Sequence, residues 1–401
     1  MYTLLFALIP VGSDATFIVE SQKEGPVTGK LIRLTSGFSA TFAMRTGDAE
    51  FNDILSLRRA NRQIPEFPTG PQLLTTSGDR IAGRFVGSER ESLRFVPSTL
   101  GDKEDSTWLV PISAATTLWL ADTPSNTPPD LNRYSWTEGT KNRDTIRFRN
   151  GDTIRGVLGL VPEAVKPTFR IRPDAGEARD IPASEVAAVV FNPLLAKARK
   201  PKVPFVRVVL ADGSRLILVD PSIGNNVLKG ETGFGQKIAI PLDFLMALDV
   251  FQTKAAYLSD LKPSKVEQSG FLGVTWTWVA DRSVHGLPLR LTTEQGDSTF
   301  DKGLGTHPRT VLTYDLGGKY RRFEASVGLD PRTGERGRAT VRVRVDGKEQ
   351  NIPGLNSLTS GKAVVVRIDV TSAKVLTLEV DYSDTGGVQA DVNWISPRLV
   401  E

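Results

Sequence analysis

The sequence predicts an all-β chain in which several small β-modules precede one larger β-sandwich. Two patterns predict it. Apolar residues recur with period two in short runs broken by Gly, Pro, Asp and Asn, and long helical periodicity is scarce. A strand, glycine turn, strand unit also returns through the first 250 residues, before longer and cleaner alternation takes over.

The repeat is visible in "TSGDRIAGRFVG" from Thr76, "RNGDTIRGVLGL" from Arg149 and "LADGSRLILVDP" from Leu210. Gly78, Gly151 and Gly213 supply the positive φ that a tight hairpin needs. Each unit closes alike, in "LVPISAATTLWL", "DIPASEVAAVVF" and "AIPLDFLMALDV": an apolar residue, a proline (Pro111, Pro182, Pro241), a short turn, an apolar strand. A weaker copy opens the chain, with "GPVTGKLIRL" at Gly25 and "FNDILSLRR" at Phe51. These segments divide the chain into β-modules at 16–62, 70–122, 144–195 and 205–252, with linkers at 123–143 and 196–204. The pattern G-D-x-h-x-G-x-h with a closing strand looks like Sm-like small β-barrels, a resemblance that implies a fold and no activity. Independent hairpins of an all-β chain would give a similar pattern.

Residues 254–401 read as the sandwich. "RFEASVGL" puts Phe323, Ala325, Val327 and Leu329 on one face, and "ATVRVRVDGK" does the same for Val341, Val343 and Val345 before an Asp346-Gly347 turn. Val364, Val366 and Ile368, then Leu376, Leu378 and Val380, continue the alternation.

Composition narrows the function. The chain has 401 residues and a net charge of +4 from 50 basic and 46 acidic residues, too small an imbalance to indicate nucleic acid. The absence of cysteine excludes disulfides, thiolate metal sites and thiol nucleophiles. The cluster Lys197, Arg199, Lys200 and Lys202 reads as a solvated linker, with contact to acidic polymer as the other reading. Residues 2–10 form an apolar run too short to cross a bilayer, and "SDA" at 13–15 resembles a cleavage site without the usual basic start. The run is either the remnant of a signal peptide at 1–15, which implies an extracytoplasmic protein, or an N-terminal strand.

Four ordered blocks carry a second resemblance: "YLSDLKPSKVEQ" from Tyr257; "WTWVADRSVHGLPLRL" with Trp276, Asp281, Arg282 and Ser283; residues 300–330 with Gly303-Leu304-Gly305-Thr306-His307; and the closing "GVQADVNWISPRLV". Residues 254–400 are similar to the NPCBM family of carbohydrate-binding modules. The resemblance implies a jelly-roll β-sandwich, a glycan ligand and, in some members, bound calcium. The closing block departs from the family pattern at Asp391-Val392-Asn393-Trp394, where Asn393 replaces an acidic residue and a histidine is missing.

Sugars are recognised by aromatic faces and by fixed polar groups. The aromatic candidates are Trp276, Trp278 and Trp394, each with a core reading beside the platform reading. The polar candidates are Asp281, Arg282, His307, Asp330 and Asn393. His307 is either a sugar contact or a loop-holding residue, and His285 reads as a surface residue. Asp330 and Glu335 are the candidate calcium ligands, with an ordinary acidic hairpin loop as the alternative. No nucleophile motif, zinc-protease motif or dinucleotide fingerprint is present.

The expected function is a non-catalytic, exported protein that binds carbohydrate or a cell-surface glycan through the sandwich. The competing readings are a glycoside hydrolase with a carboxylate pair at the module–sandwich cleft, and a structural assembly protein that has lost its ligand.

Overall fold

A computed structural model describes residues 16–101, 106–121, 129–130, 134–137, 142–162, 166–195, 201–270, 276–294, 296–384 and 386–401. The 1–15 segment, most of the first linker, and Lys197, Arg199 and Lys200 lie outside the described residues.

The chain is all-β. Its N-terminal part forms four five-stranded units, whose first and fifth strands are Thr16–Ser21 and Ile54–Arg59, Gln72–Thr75 and Ala115–Trp119, Asp144–Phe148 and Val186–Val190, and Phe205–Leu210 and Leu245–Phe251. In every unit strands one to four run as an antiparallel meander and the fifth returns to pair with the first. The hairpin glycines behave as their pattern requires. Gly78, Gly151 and Gly213 have φ of 94°, 98° and 84°, and each donates its N–H to the carbonyl three residues back. Pro111, Pro182 and Pro241 end the fourth strands and lead into the 3-10 turns Ile112–Ala114, Ala183–Glu185 and Leu242–Phe244. Proline lacks the donor to continue a ladder and its fixed φ suits the turn.

The units associate through their fifth strands. Thr117, Leu118 and Trp119 pair with Val190, Val189 and Ala188, joining units two and three. Ala247, Leu248 and Asp249 pair with Arg58, Leu57 and Ser56, joining units four and one. Asp79 ties unit two to unit four, its buried carboxylate accepting from the Ile217 N–H at 2.7 Å and from the Ser77 and Thr75 hydroxyls. One continuous core runs through all four units.

The C-terminal part is a sandwich of two antiparallel sheets. One carries the strands Val279–Ala280, Gly303–Thr306, Val392–Val400, Arg322–Leu329 and Val364–Asp369, with Ala255–Tyr257 added along Val392–Val400. The other carries Lys265–Gln268, Thr310–Asp315, Val375–Tyr382, Arg338–Val345 and Lys348–Glu349. Phe323, Ala325, Val327, Val341, Val343, Leu376, Leu378 and Val380 fill the core between them. A separate hairpin, Leu289–Thr293 with Gly296–Phe300, flanks the first sheet.

The sandwich is fastened to the units by charge. Arg398 meets Glu20, Arg290 meets Glu66, Arg282 meets Asp130, and Asp301 meets Arg215.

Candidate functional site

The Gly-Leu-Gly stretch forms the strand Gly303–Thr306, rather than a loop, and its glycines serve close approach. A Cβ on Gly305 would stand 2.4 Å from the Arg282 carbonyl oxygen and 2.5 Å from the Val284 nitrogen. The backbone at 282–284 therefore lies directly on this strand. From there the chain makes a tight turn: the Ser283 N–H donates to Leu287 O, the Gly286 N–H donates to Ser283 O, and the Ser283 hydroxyl accepts from the Leu287 N–H. Gly286, at φ 73°, supplies the positive φ in that turn. His285 stands at its exposed tip.

On the partner strand, Thr306 pairs with Val392, so His307 and Asp391 emerge side by side just beyond the ladder. The result joins both histidines of the chain to one carboxylate. His285 Nε2 is 2.7 Å from Asp391 Oδ2, and His307 Nε2 is 3.9 Å from Asp391 Oδ1. Asp391 is itself only 7% exposed. Trp276 stands edge-on to His285, with ring centroids 5.1 Å apart, and 6.0 Å from the His307 ring. The Gln268 side-chain amide donates to Trp276 O at 2.8 Å and holds it there. Trp276 is 43% exposed, so part of the indole is open.

The partners constrain the tautomers. Both His307 nitrogens face acceptors, Nδ1 at 3.3 Å from Pro308 O and Nε2 at 3.9 Å from Asp391 Oδ1, and the neutral ring donates from one and leaves the other as an acceptor. His285 Nε2 faces a carboxylate oxygen, so it donates and leaves Nδ1 free to accept. The cluster therefore offers one carboxylate, two imidazole acceptors and an aromatic surface.

The other expected site residues are dispersed. Trp394 is fully buried in the sandwich core, which removes it as a platform: its ring faces no solvent. Trp278 is partly buried and packs on the same core. Asn393 is buried, its amide donating to Arg290 O at 2.9 Å and to Asp330 Oδ2 at 3.2 Å. Asp281, at φ 58°, accepts from the Gly303 N–H at 3.1 Å and from Lys302 Nζ at 2.7 Å. Arg282 binds Asp130 and Gly286 O at the junction with the units.

The calcium pair is not assembled. Asp330 is buried and its carboxylate accepts from the Arg332 backbone and guanidinium, whereas Glu335 is exposed. Among the described residues no group of three or more metal-ligating side chains exists. At the module–sandwich cleft, Asp260 and Asp281 both bind Lys302 Nζ, at 2.8 and 2.7 Å. The shared ammonium holds the two carboxylates together at this position, with both acidic side chains partly exposed.

His285 and Asp391 are absent from the set expected from sequence; His285 is exposed, as its surface reading expects, and in addition its Nε2 lies 2.7 Å from Asp391 Oδ2. The sequence signal for the pair was the register between Gly303–Thr306 and the closing strand, which only a known pairing reveals.

Residues 254–400 match the family model of the NPCBM/NEW2 domain. No curated protein matches the chain. Among solved structures, the chain is similar to a CBM51 module from Clostridium perfringens GH95 in complex with methyl-galactose, at 23% identity over 36% of this chain and 99% of that one, with a TM-score of 0.33. It is also similar to the tandem CBM51 modules of Sp3GH98, the family 98 glycoside hydrolase from Streptococcus pneumoniae SP3-BS71, at 13% identity over 80% of this chain and 88% of that one, with a TM-score of 0.33. A third is CBM51-2 in complex with GlcNAc and INT domains from Clostridium perfringens ZmpB, at 22% identity over 46% of this chain and 37% of that one, with a TM-score of 0.34.

Proposed function

With an NPCBM/NEW2 domain at residues 254–400 as the premise, we propose that this chain is an exported, non-catalytic glycan-binding protein whose sugar site is the cluster of Trp276, His285, His307 and Asp391. One observation carries the reading: two histidines that are the only ones in the chain converge on a single buried carboxylate beside a half-open tryptophan. Such a set suits a sugar. The indole takes the apolar face of a pyranose ring, and adjacent hydroxyls donate to the free imidazole nitrogens and to Asp391. The His285–Asp391 contact fixes the ring, so little freedom is lost on binding. The four β-units act as a rigid support that presents the cluster.

The experiment is a glycan array probed with the full chain, followed by titration of each hit. Binding that falls at least tenfold in Trp276→Ala and in His285→Ala supports this site. Hits unchanged by both substitutions place the sugar elsewhere, and no hits at all remove the glycan reading.

A further inference from the structure

Between the units and the sandwich lies a cavity of about 230 Å³ whose wall includes Arg80, Arg282, Arg290 and Arg332 against two carboxylates, Glu66 and Asp130. The pairing leaves one guanidinium over. Arg282 is paired with Asp130 at 2.8 Å and Arg290 with Glu66. Arg332 is neutralised from behind by Asp330 at 2.6 Å. Among the described residues Arg80 hydrogen-bonds only neutral groups, Gln72 Oε1 at 3.1 Å and Pro129 O at 3.2 Å, and it lies over the Phe67 ring at 4.8 Å. Arg215, paired with Asp301 at 3.4 Å, lies over that same ring at 4.5 Å. Burial, with the neighbouring charges of Arg282 and Arg215, outweighs the opposing charges of Asp130 and Asp301 and brings the Arg80 guanidinium down to about 10. It remains charged at neutral pH, in a recess where water screens it poorly.

We propose that this cavity binds one oxyanion, the sulfate or carboxylate group of an acidic glycan, with the Arg80 fork as its principal contact. Planar guanidiniums match such groups with paired N–H donors, and an anion here balances the surplus charge. Only the glycan carrier rests on the function proposed above; the anion site stands on its own geometry, at the junction and apart from the Trp276 cluster.

The test is equilibrium dialysis of the full chain against radiolabelled inorganic sulfate at fixed ionic strength. The expected result is one saturable site per chain, weakened at least tenfold in Arg80→Gln and unchanged in Trp276→Ala. No saturable binding by the wild type, or equal binding by Arg80→Gln, overturns the site. Should Arg80→Gln fail to fold, Arg80→Lys decides: it keeps the charge without the fork, so weaker binding supports the site and equal binding overturns it. Competition then separates the carriers. Displacement by glucose 6-sulfate or by methyl glucuronide, and not by methyl glucoside, identifies the anionic group; displacement by neither charged sugar overturns the acidic-glycan assignment. Because Trp276→Ala leaves this binding intact, failure here and failure of the Trp276 sugar site give different results.

Discussion

Arg398, buried in the last strand of the sandwich, holds Glu20 of the first strand of the chain at 2.5 Å. Glu324 shares the same guanidinium at 2.8 Å, and Glu20 also accepts from the Ser56 hydroxyl. The pair thus joins the two ends of the sequence. Burial pushes the Glu20 carboxyl up, but the charge of Arg398 and hydrogen bonds from Ser56 and Arg398 outweigh it and bring the group from 4.5 down to about 2.

This depressed carboxyl predicts acid sensitivity. Its contribution is complete above about pH 4.5 and is lost as the pH falls through about 2. Glu20→Gln is expected to cost about 1–2 kcal/mol at pH 7, below the roughly 3–5 of a fully buried pair, since Glu20 is partly exposed and Glu324 remains. Thermal melts from pH 7 to 2 check it: the wild type loses more of its Tm on acidification than the variant, and parallel curves contradict the assignment.

The two tryptophans nearest the proposed chemistry respond oppositely. Trp394→Ala empties a fully buried site and is expected to cost about 3–5 kcal/mol. Trp276→Ala removes a partly open side chain and costs less than about 1 kcal/mol while abolishing sugar binding. Denaturant unfolding of both variants, beside sugar titration, decides it; equal destabilisation would place Trp276 in the core.

Gly305→Ala forces a methyl group into the backbone at 282–284. The expected cost is about 1–3 kcal/mol, with the 283–287 turn displaced and sugar affinity lost along with stability. A crystal structure or the Trp276 fluorescence of the variant reads the displacement. Wild-type stability and binding together would show that the two backbones are not in contact.

The charged seam between units and sandwich predicts coupled unfolding. Calorimetry of the full chain is expected to show the sandwich melting above the Tm of an isolated 254–401 fragment, because cutting the chain leaves Arg398 without Glu20 and Arg290 without Glu66. Equal Tm values would show that the seam contributes nothing to the sandwich.

Much of the fold was legible before any coordinates. Gly78, Gly151 and Gly213 mark turns because positive φ is a local demand, and alternation at 323–329 and 341–345 marks strands because one face of a sheet is buried. The fifth-strand pairings were not legible. Leu57 and Leu248 are apolar whichever strand they meet, so nothing local names their partner. The site was legible only in pieces for the same reason. Trp276 and His307 belong to recognisable blocks, but Asp391 joins His285 from 106 residues away, through a strand register that no spacing encodes. Trp394 shows the converse: an aromatic residue in a site-like motif can serve the core alone.

The fifth-strand pairings have a consequence for assembly. A lone five-stranded unit of this design exposes a strand edge that can recruit another copy at a rate set by concentration. Here each fifth strand already has a neighbour on both sides, and that neighbour is covalently attached. Tethering replaces bulk concentration with an effective one of about millimolar order, so the union persists at any dilution. What would be a dimerisation equilibrium between separate units is, in this chain, an intramolecular step completed once, during folding.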